Sequence, residues 1–380
     1  MNSIAKLGML SSSMNYETAE DIGCPKMRIS RTDDIYITNA VLPNGKRIPL
    51  LKTLLTSVCE RNCNYCPFRA GRDFRRASIN PDEMAKIFFS LYQSGIVEGL
   101  FLSSGLVSGG EHIQDKLIDT VEILRLKYQF NGYIHLKIMP GAQYEQVFRS
   151  LQIADRISVN LEAPNKARLK QLAPLKKFDE ELVKTLKWIE NIRRNQAPNN
   201  TLDGKWPSTT TQFVVGPAEE SDLELLSTTE HLFKKFRMRR VYYRAFNPAP
   251  DTPFENRPAT LPIREHRLYQ ASYLLRDYHF NLEEFVFMES GNLSLDIDPK
   301  TAWAQKYLLN NPIEINQASP LELLRIPGFG PKAVKKILTS RKRGKLTDAS
   351  ELYRIGIQPE RAIPFMLMNG KKPIQQLSLL

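Results

Sequence analysis

The sequence predicts an α/β fold: a parallel, barrel-like sheet of six β-α units with helices outside, followed by a small helical domain. Three observations predict it. Between Arg47 and Phe246, short apolar runs alternate with helical patterns. In two of the runs, polar and apolar residues alternate, the pattern of a strand with two different faces. After Ile313 the spacing becomes that of short helices punctuated by Ser, Pro and Gly. A length of 380 residues suits two or more domains, and 42% hydrophobic with 25% charged residues is a soluble globular composition.

The expected strands are Ile48–Thr56, Gly99–Ser104, Tyr133–Met139, Arg156–Leu161, Thr211–Val215 and Arg240–Ala245. The expected helices between them are Pro81–Ser94, Ile113–Tyr128, Tyr144–Leu151, Asp179–Arg194 and Ser221–Phe236. Repeated β-α units argue a parallel sheet. In the third strand, His135 and Lys137 share one face, and Ile134, Leu136 and Ile138 the other. In the fourth, Arg156, Ser158, Asn160 and then Glu162 face one way, and Ile157, Val159 and Leu161 the other. The apolar rows should pack on helices. The polar rows then face an occupied, wet interior, unlike the packed interior of a closed barrel.

After the first strand comes Cys59-Glu60-Arg61-Asn62-Cys63-Asn64-Tyr65-Cys66, a C-x3-C-x2-C spacing. Such a loop can wrap three corners of a cubane [4Fe-4S] cluster and leave the fourth iron open to a small molecule. A zinc site would need a remote fourth ligand, and zinc ligands usually come as C-x2-C pairs, of which this chain has no second. Chance clustering of inert thiols is a poor account of three cysteines in eight residues when the chain has 4. This spacing, with the aromatic Tyr65 just before the third cysteine, resembles the signature of the radical S-adenosylmethionine (radical SAM) enzymes.

The resemblance implies a partial (β/α)6 TIM-like barrel. It implies a [4Fe-4S] cluster on Cys59, Cys63 and Cys66, with S-adenosylmethionine on the open iron. One electron passed to the sulfonium would give methionine and a 5′-deoxyadenosyl radical, which takes hydrogen from an unactivated carbon. Position by position, Ser103, Ser104 and Gly105 stand where the family holds the amino group of S-adenosylmethionine, though the family's acidic residue is missing. Ser158, Asn160 and Glu162 stand where the family supplies ribose contacts, and Lys137 joins them on the interior face. Gly216 lies in a segment like the family's glycine motif beside adenine. Phe246 and Asn247 lie in one like its adenine-contacting sixth strand. Only Cys24 remains outside the signature, too few for an all-cysteine second cluster. It is read as an ordinary thiol.

The net charge of +12 suggests a polyanionic partner. From Ile313 to Leu380 there are 12 Lys and Arg against 5 Asp and Glu. There, Ser319 and Pro320 read as an N-cap and first helical position. Ile326-Pro327-Gly328-Phe329-Gly330-Pro331-Lys332 then leads into a second helix, Ala333–Arg341. This resembles the helix-hairpin-helix motif of DNA repair and uptake proteins. Gly328 and Gly330 allow a tight turn around Phe329, backbone N–H groups receive a phosphate, and Lys332 and Lys335 add charge. A weaker copy follows around Arg354-Ile355-Gly356. After the cysteines, Arg69, Arg72, Arg75 and Arg76 with Phe68 and Phe74 suit phosphate contact and base stacking, or salt bridges to Asp73 and Glu83.

Together these features resemble the radical SAM proteins with a C-terminal helix-hairpin-helix described as DNA modification or repair enzymes. The expected organisation is an N-terminal extension (1–46), the barrel (47–250), a connecting segment (251–312) and the helix-hairpin-helix domain (313–380). The expected function is radical modification or repair of a nucleotide in DNA. The alternatives are RNA or tRNA modification, and a non-catalytic iron-sulfur DNA-binding protein. The resemblance implies DNA as partner, an electron donor such as flavodoxin or ferredoxin, and a uracil-DNA glycosylase-like protein. No run of about 18 apolar residues provides a membrane span. Met1–Met14 does not read as a secretory signal, and the free thiols suit the cytoplasm.

Overall fold

The computed structural model describes residues 2–12, 14, 27–28, 35–41, 45–199, 201 and 204–373; Cys24 lies outside them. The chain divides into two compact units. The first is Met1–Glu220 with His231–Thr260, and the second is Ser221–Glu230 with Leu261–Leu380.

The first unit is built on one eight-stranded sheet whose strands run in chain order: β1 (Met27–Arg28), β2 (Tyr36–Val41), β3 (Arg47–Leu54), β4 (Gly99–Ser103), β5 (Tyr133–Lys137), β6 (Arg156–Ser158), β7 (Ser208–Val215) and β8 (Arg240–Ala245). β3 to β8 are parallel and correspond to the six strands the sequence predicts. β1 and β2 extend the sheet antiparallel beyond β3, so it stays an open partial barrel.

The crossovers are helical for local reasons. In α2 (Pro81–Gln93), Asn80 accepts from the Glu83 N–H, and Pro81 opens the first turn above Asp82 and Glu83. α3 (Gly109–Glu122) continues into a widened π turn, Ile123–Lys127. It starts four residues before the first apolar position of the expected helix, because Gly110 lets the helix press on the loop after β5. A Cβ there would lie 1.9 Å from the Pro140 carbonyl oxygen. α4 (Tyr144–Ile153) carries a capping box between Gln143 and Gln146. α5 (Lys166–Leu172) is capped by Asn165, α6 (Lys184–Asn195) follows a π turn at Phe178–Val183, and α7 (Asp222–Phe236) precedes β8.

The strand faces segregate as the alternation predicts. Ile134, Leu136, Ile157, Val159 and Leu161 are buried apolar. On the other face, register sets Lys52, Phe101, His135 and Arg156 in one row across β3 to β6.

The second unit is mostly helical. α8 (Pro262–Asp277) and α9 (Pro299–Tyr307) precede α10 (Pro320–Arg325), α11 (Pro331–Arg341) and α12 (Ala349–Arg354). Its core gathers Ile326, Phe329, Ile337 and Leu352, each fully buried. It is not purely α-helical. β9 (Ile313–Glu314) and β10 (Met366–Leu367) form a two-residue parallel pair, too short to leave a periodic signal. No helix among the described residues is long and apolar enough to cross a membrane.

Candidate functional site

The loop after β3 carries Cys59, Cys63 and Cys66 as free thiols, Cys63 buried and the other two half-buried. Its path is fixed by backbone bonds. Glu60 N–H donates to the Leu106 carbonyl at 2.7 Å, Asn64 N–H to Leu172 at 2.8 Å, and Ala70 N–H to Arg61 at 2.8 Å. Gly105 lets the loop after β4 lie against it, since a Cβ there would sit 2.1 Å from the Val58 carbonyl oxygen.

Arg76 closes the loop from the far side. Its guanidinium donates to the carbonyls of Ser57 (2.9 Å), Phe68 (3.1 Å), Arg69 (2.9 Å) and Arg72 (3.2 Å), and lies 4.2 Å from the Phe74 ring centre. Arg72 donates to Pro250 and Pro67 carbonyls at 2.9 Å each. Arg69 reaches the Asn62 carbonyl at 3.4 Å, and Arg75 is exposed. Arg76 thus holds the loop's own backbone, and Arg72 ties the loop to the segment after β8. Neither salt bridges to Asp73 or Glu83.

The three cysteines line one cavity of about 110 Å³. Opposite them stand Ser103, Ser104 and Gly105 from the end of β4, Lys137 from β5, and Asn160 and Glu162 beyond β6. Tyr65, Arg61, Gln212 and Lys176 complete the wall. Nine of the thirteen sequence-predicted cofactor and metal positions therefore meet here, all but Ser158, Gly216, Phe246 and Asn247. Ser158 is buried beside Lys137 in register. Gly216 (φ +106°) turns the chain after β7 against Thr260 and donates its N–H to the Glu220 carboxylate. Phe246 is buried against Phe254, and Asn247 is exposed after β8.

Glu162 sits at a left-handed φ of +64°, and its backbone bridges to β7 through Gln212 and Val214. It is buried, and Lys176 Nζ donates to its Oε1 at 2.8 Å. Burial alone would raise the Glu162 pKa, but the Lys176 and Lys137 ammonium groups hold it below the usual carboxylate range. The same carboxylate holds Lys176 protonated against its burial. Sequence reasoning missed Lys176, which stands in Leu175-Lys176-Lys177 with no motif around it.

Three thiols on one loop are the donor set that a cubane cluster would take. Among the described residues, no three His, Cys, Asp or Glu side chains converge as a mononuclear metal site requires. Burial pushes the Cys63 and Cys66 thiols up, so a bound cation is what would favour their thiolates. Ser104 Oγ, Ser158 Oγ and Glu162 Oε2 are buried without a hydrogen-bond partner. Groups of that kind call for a polar ligand or water.

In the second unit, α10 and α11 are joined by a tight turn. Ser319 and Glu322 form the capping box at the start of α10, with Pro320 in its first turn. Gly328 has φ +85°, and Gly330 is the N-cap of α11. Phe329 packs its ring fully into the core, so only its backbone remains for a ligand. Lys332 and Lys335 are exposed. At the weaker copy, Gly356 (φ +70°) has its carbonyl 3.4 Å from Lys336 Nζ.

The family model of the Radical SAM superfamily matches residues 53–227. No curated protein sequence matches the chain. Among solved structures, HydG, a maturase of the [FeFe]-hydrogenase, is similar at 13% identity, covering 60% of this chain and 49% of that one, with a TM-score of 0.45. The HydG from Carboxydothermus hydrogenoformans gives 17%, 60%, 51% and 0.44. Methylornithine synthase (PylB) gives 13%, 60%, 61% and 0.46. The chain thus spans 49 to 61% of the length of these structures. Residues 53–227, which carry the thiol loop, β4 to β7 and every polar wall of its cavity, form a radical SAM superfamily domain, an enzyme domain whose cofactors are a [4Fe-4S] cluster and S-adenosylmethionine.

Proposed function

We propose that this chain is a radical enzyme that modifies or repairs a nucleotide in DNA. The observation that carries the chemistry is the cavity where three thiols of one loop face buried, partnerless polar atoms. In this reading Cys59, Cys63 and Cys66 hold the cluster. Ser103, Ser104 and Gly105 receive the amino end of S-adenosylmethionine through backbone and hydroxyl groups. Lys137, Ser158, Asn160 and Glu162 serve its ribose side, and Gly216, Phe246 and Asn247 its adenine. When bound, these cofactors supply a 5′-deoxyadenosyl radical that removes hydrogen from a carbon.

The chain's own residues prepare the site. Lys176 neutralises Glu162, so the carboxylate stays charged while buried and keeps one oxygen for a hydroxyl. Phe101 and His135, buried on the same row of the sheet, meet edge to face at 4.5 Å. An external one-electron donor of the flavodoxin or ferredoxin kind must supply the electron.

The nucleic-acid reading rests on the turn between α10 and α11. The Gly328 and Gly330 N–H groups have no acceptor within the described chain, beside exposed Lys332 and Lys335. This is the phosphate site of a helix-hairpin-helix.

The test is anaerobic. The protein is reconstituted with iron and sulfide, reduced, and given S-adenosylmethionine with duplex DNA, single-stranded DNA or RNA. The expected result is 5′-deoxyadenosine formation stimulated by DNA. Stimulation by RNA alone would move the substrate to RNA through its 2′-OH. Retained DNA binding with no cleavage in any arm would make the chain a non-catalytic iron-sulfur protein.

A further inference from the structure

Lys300 is a charged group in a place that disfavours its charge. It stands in the first turn of α9, just after Asp298 and Pro299, at the partly positive end of the helix. It is 8% exposed. The groups that face it are Asp298 on α9, Arg325 on α10, Arg361, and the Tyr278 ring, whose centre lies 4.8 Å from Lys300 Nζ. Asp298 is itself paired with Arg361 at 2.5 Å. Burial, then Arg361 and Arg325, pull the Lys300 pKa down to about 7 against the pull of Asp298. A buried apolar side chain would escape all of this.

What the ammonium does there is hold one carbonyl. Lys300 Nζ donates to the Phe329 carbonyl oxygen at 2.6 Å, in the middle of the turn between α10 and α11. That carbonyl and the Gly330 N–H belong to one peptide, and no peptide among the described residues is cis. In a planar trans peptide the two bonds point opposite ways. With the carbonyl drawn onto a buried ammonium, the Gly330 N–H is turned away from it. The fully buried Phe329 ring anchors the same residue through its side chain. Gly328, Pro331 and Lys332 around this peptide are exposed. A charge on the carbonyl side also polarises the peptide and makes its N–H a stronger donor.

We infer that Lys300 is the positioning residue of the phosphate turn: its ammonium clamps the Phe329 carbonyl so that the Gly330 N–H faces a nucleic-acid phosphate. Lys300 does not touch the phosphate itself. The inference rests on the nucleic-acid reading above and deepens it, since it makes the grip of the turn on phosphate depend on one buried proton.

The experiment measures binding of a short DNA duplex to the full chain by fluorescence anisotropy, from about pH 6 to about pH 9 and over a range of salt. Wild-type affinity should fall by roughly 3- to 10-fold over that range as Lys300 loses its proton. Lys300→Met should be weaker than wild type at the acid end and show no such fall. Its salt dependence should match the wild type, because a buried lysine releases no counterion. Lys332→Ala should do the reverse, lowering the salt slope by about 1 and keeping the fall with pH. Wild-type affinity that stays flat across the range overturns the inference. So does a Lys300→Met protein that keeps the wild-type pH profile, or one whose salt slope drops as in Lys332→Ala. In these three cases DNA is still bound, and the nucleic-acid reading stands. A wild type that binds no DNA at any pH removes that reading and this inference together.

Discussion

Lys176 Nζ lies 2.8 Å from Glu162 Oε1, with the two side chains 10% and 3% exposed on the wall of the thiol cavity. Neither group would remain charged there alone. The pair is the electrostatic centre of the site, and it joins a segment before the Phe178–Val183 turn to the residue that ends the β6 row.

Removing one partner should therefore cost more than removing an ordinary ion pair. Lys176→Met is expected to destabilise the protein by about 3–5 kcal/mol, because it leaves a buried carboxylate uncompensated. Urea unfolding measures this. Lys176→Met combined with Glu162→Gln should recover much of the loss. The pH dependence has a definite sign. Glu162 is held below its unfolded value, so its contribution is present above the unfolded carboxylate range and is lost as pH falls through the lower folded value. A Glu162→Gln protein should lack that part of the acid-induced loss.

Cys59→Ala, Cys63→Ala and Cys66→Ala should each abolish stoichiometric iron and sulfide retention after anaerobic reconstitution. Metal analysis and visible absorption read this without any turnover. A variant that keeps its full iron content would remove that cysteine from the ligand set.

Gly105→Ala should be among the most damaging single-methyl additions in the first unit. The new Cβ would meet the Val58 carbonyl, which is backbone and cannot rotate away. The expected cost is about 1–3 kcal/mol of stability. Cluster retention should fall as well, since the displaced strand of loop leads straight into Cys59. Normal iron content with normal stability would show that the two loops are not in contact.

Lys300 should give the second unit an alkaline slope. Burial, with Arg361 and Arg325 nearby, pulls its pKa down to about 7, against the pull of Asp298. The unfolded lysine keeps its proton up to its ordinary value, so unfolding takes up a proton between the two. Stability should rise with pH from about 7 until the unfolded lysine titrates, and the penalty is fully present below 7. Lys300→Met should flatten that slope, measured as urea midpoints across neutral to alkaline pH.

The parallel sheet was legible because each of its six strands is a bounded apolar run followed by a helical pattern. β1 and β2 were not, since they extend the sheet antiparallel outside the repeating unit. α5 was missed because its seven residues, Lys166–Leu172, give too few turns for a period to emerge. At the site, the C-x3-C-x2-C spacing points to the right loop, and the β6 alternation puts Asn160 and Glu162 on the cavity side. Lys176 left no trace, because a lysine reveals itself as a counter-ion only when a distant carboxylate folds onto it. The arginine run shows the converse problem. Composition does not distinguish guanidinium groups that face a phosphate from Arg72 and Arg76, which bind backbone carbonyls.

That use of Arg76 bears on how the site is built. One side chain gathers four carbonyls spread from Ser57 to Arg72, and so brackets all three thiols with protein atoms alone. The path of the loop is then held by a single side chain that no motif in the sequence singles out. Replacing Arg76 would therefore disturb all three thiols at once, although it lies outside the eight residues that carry them.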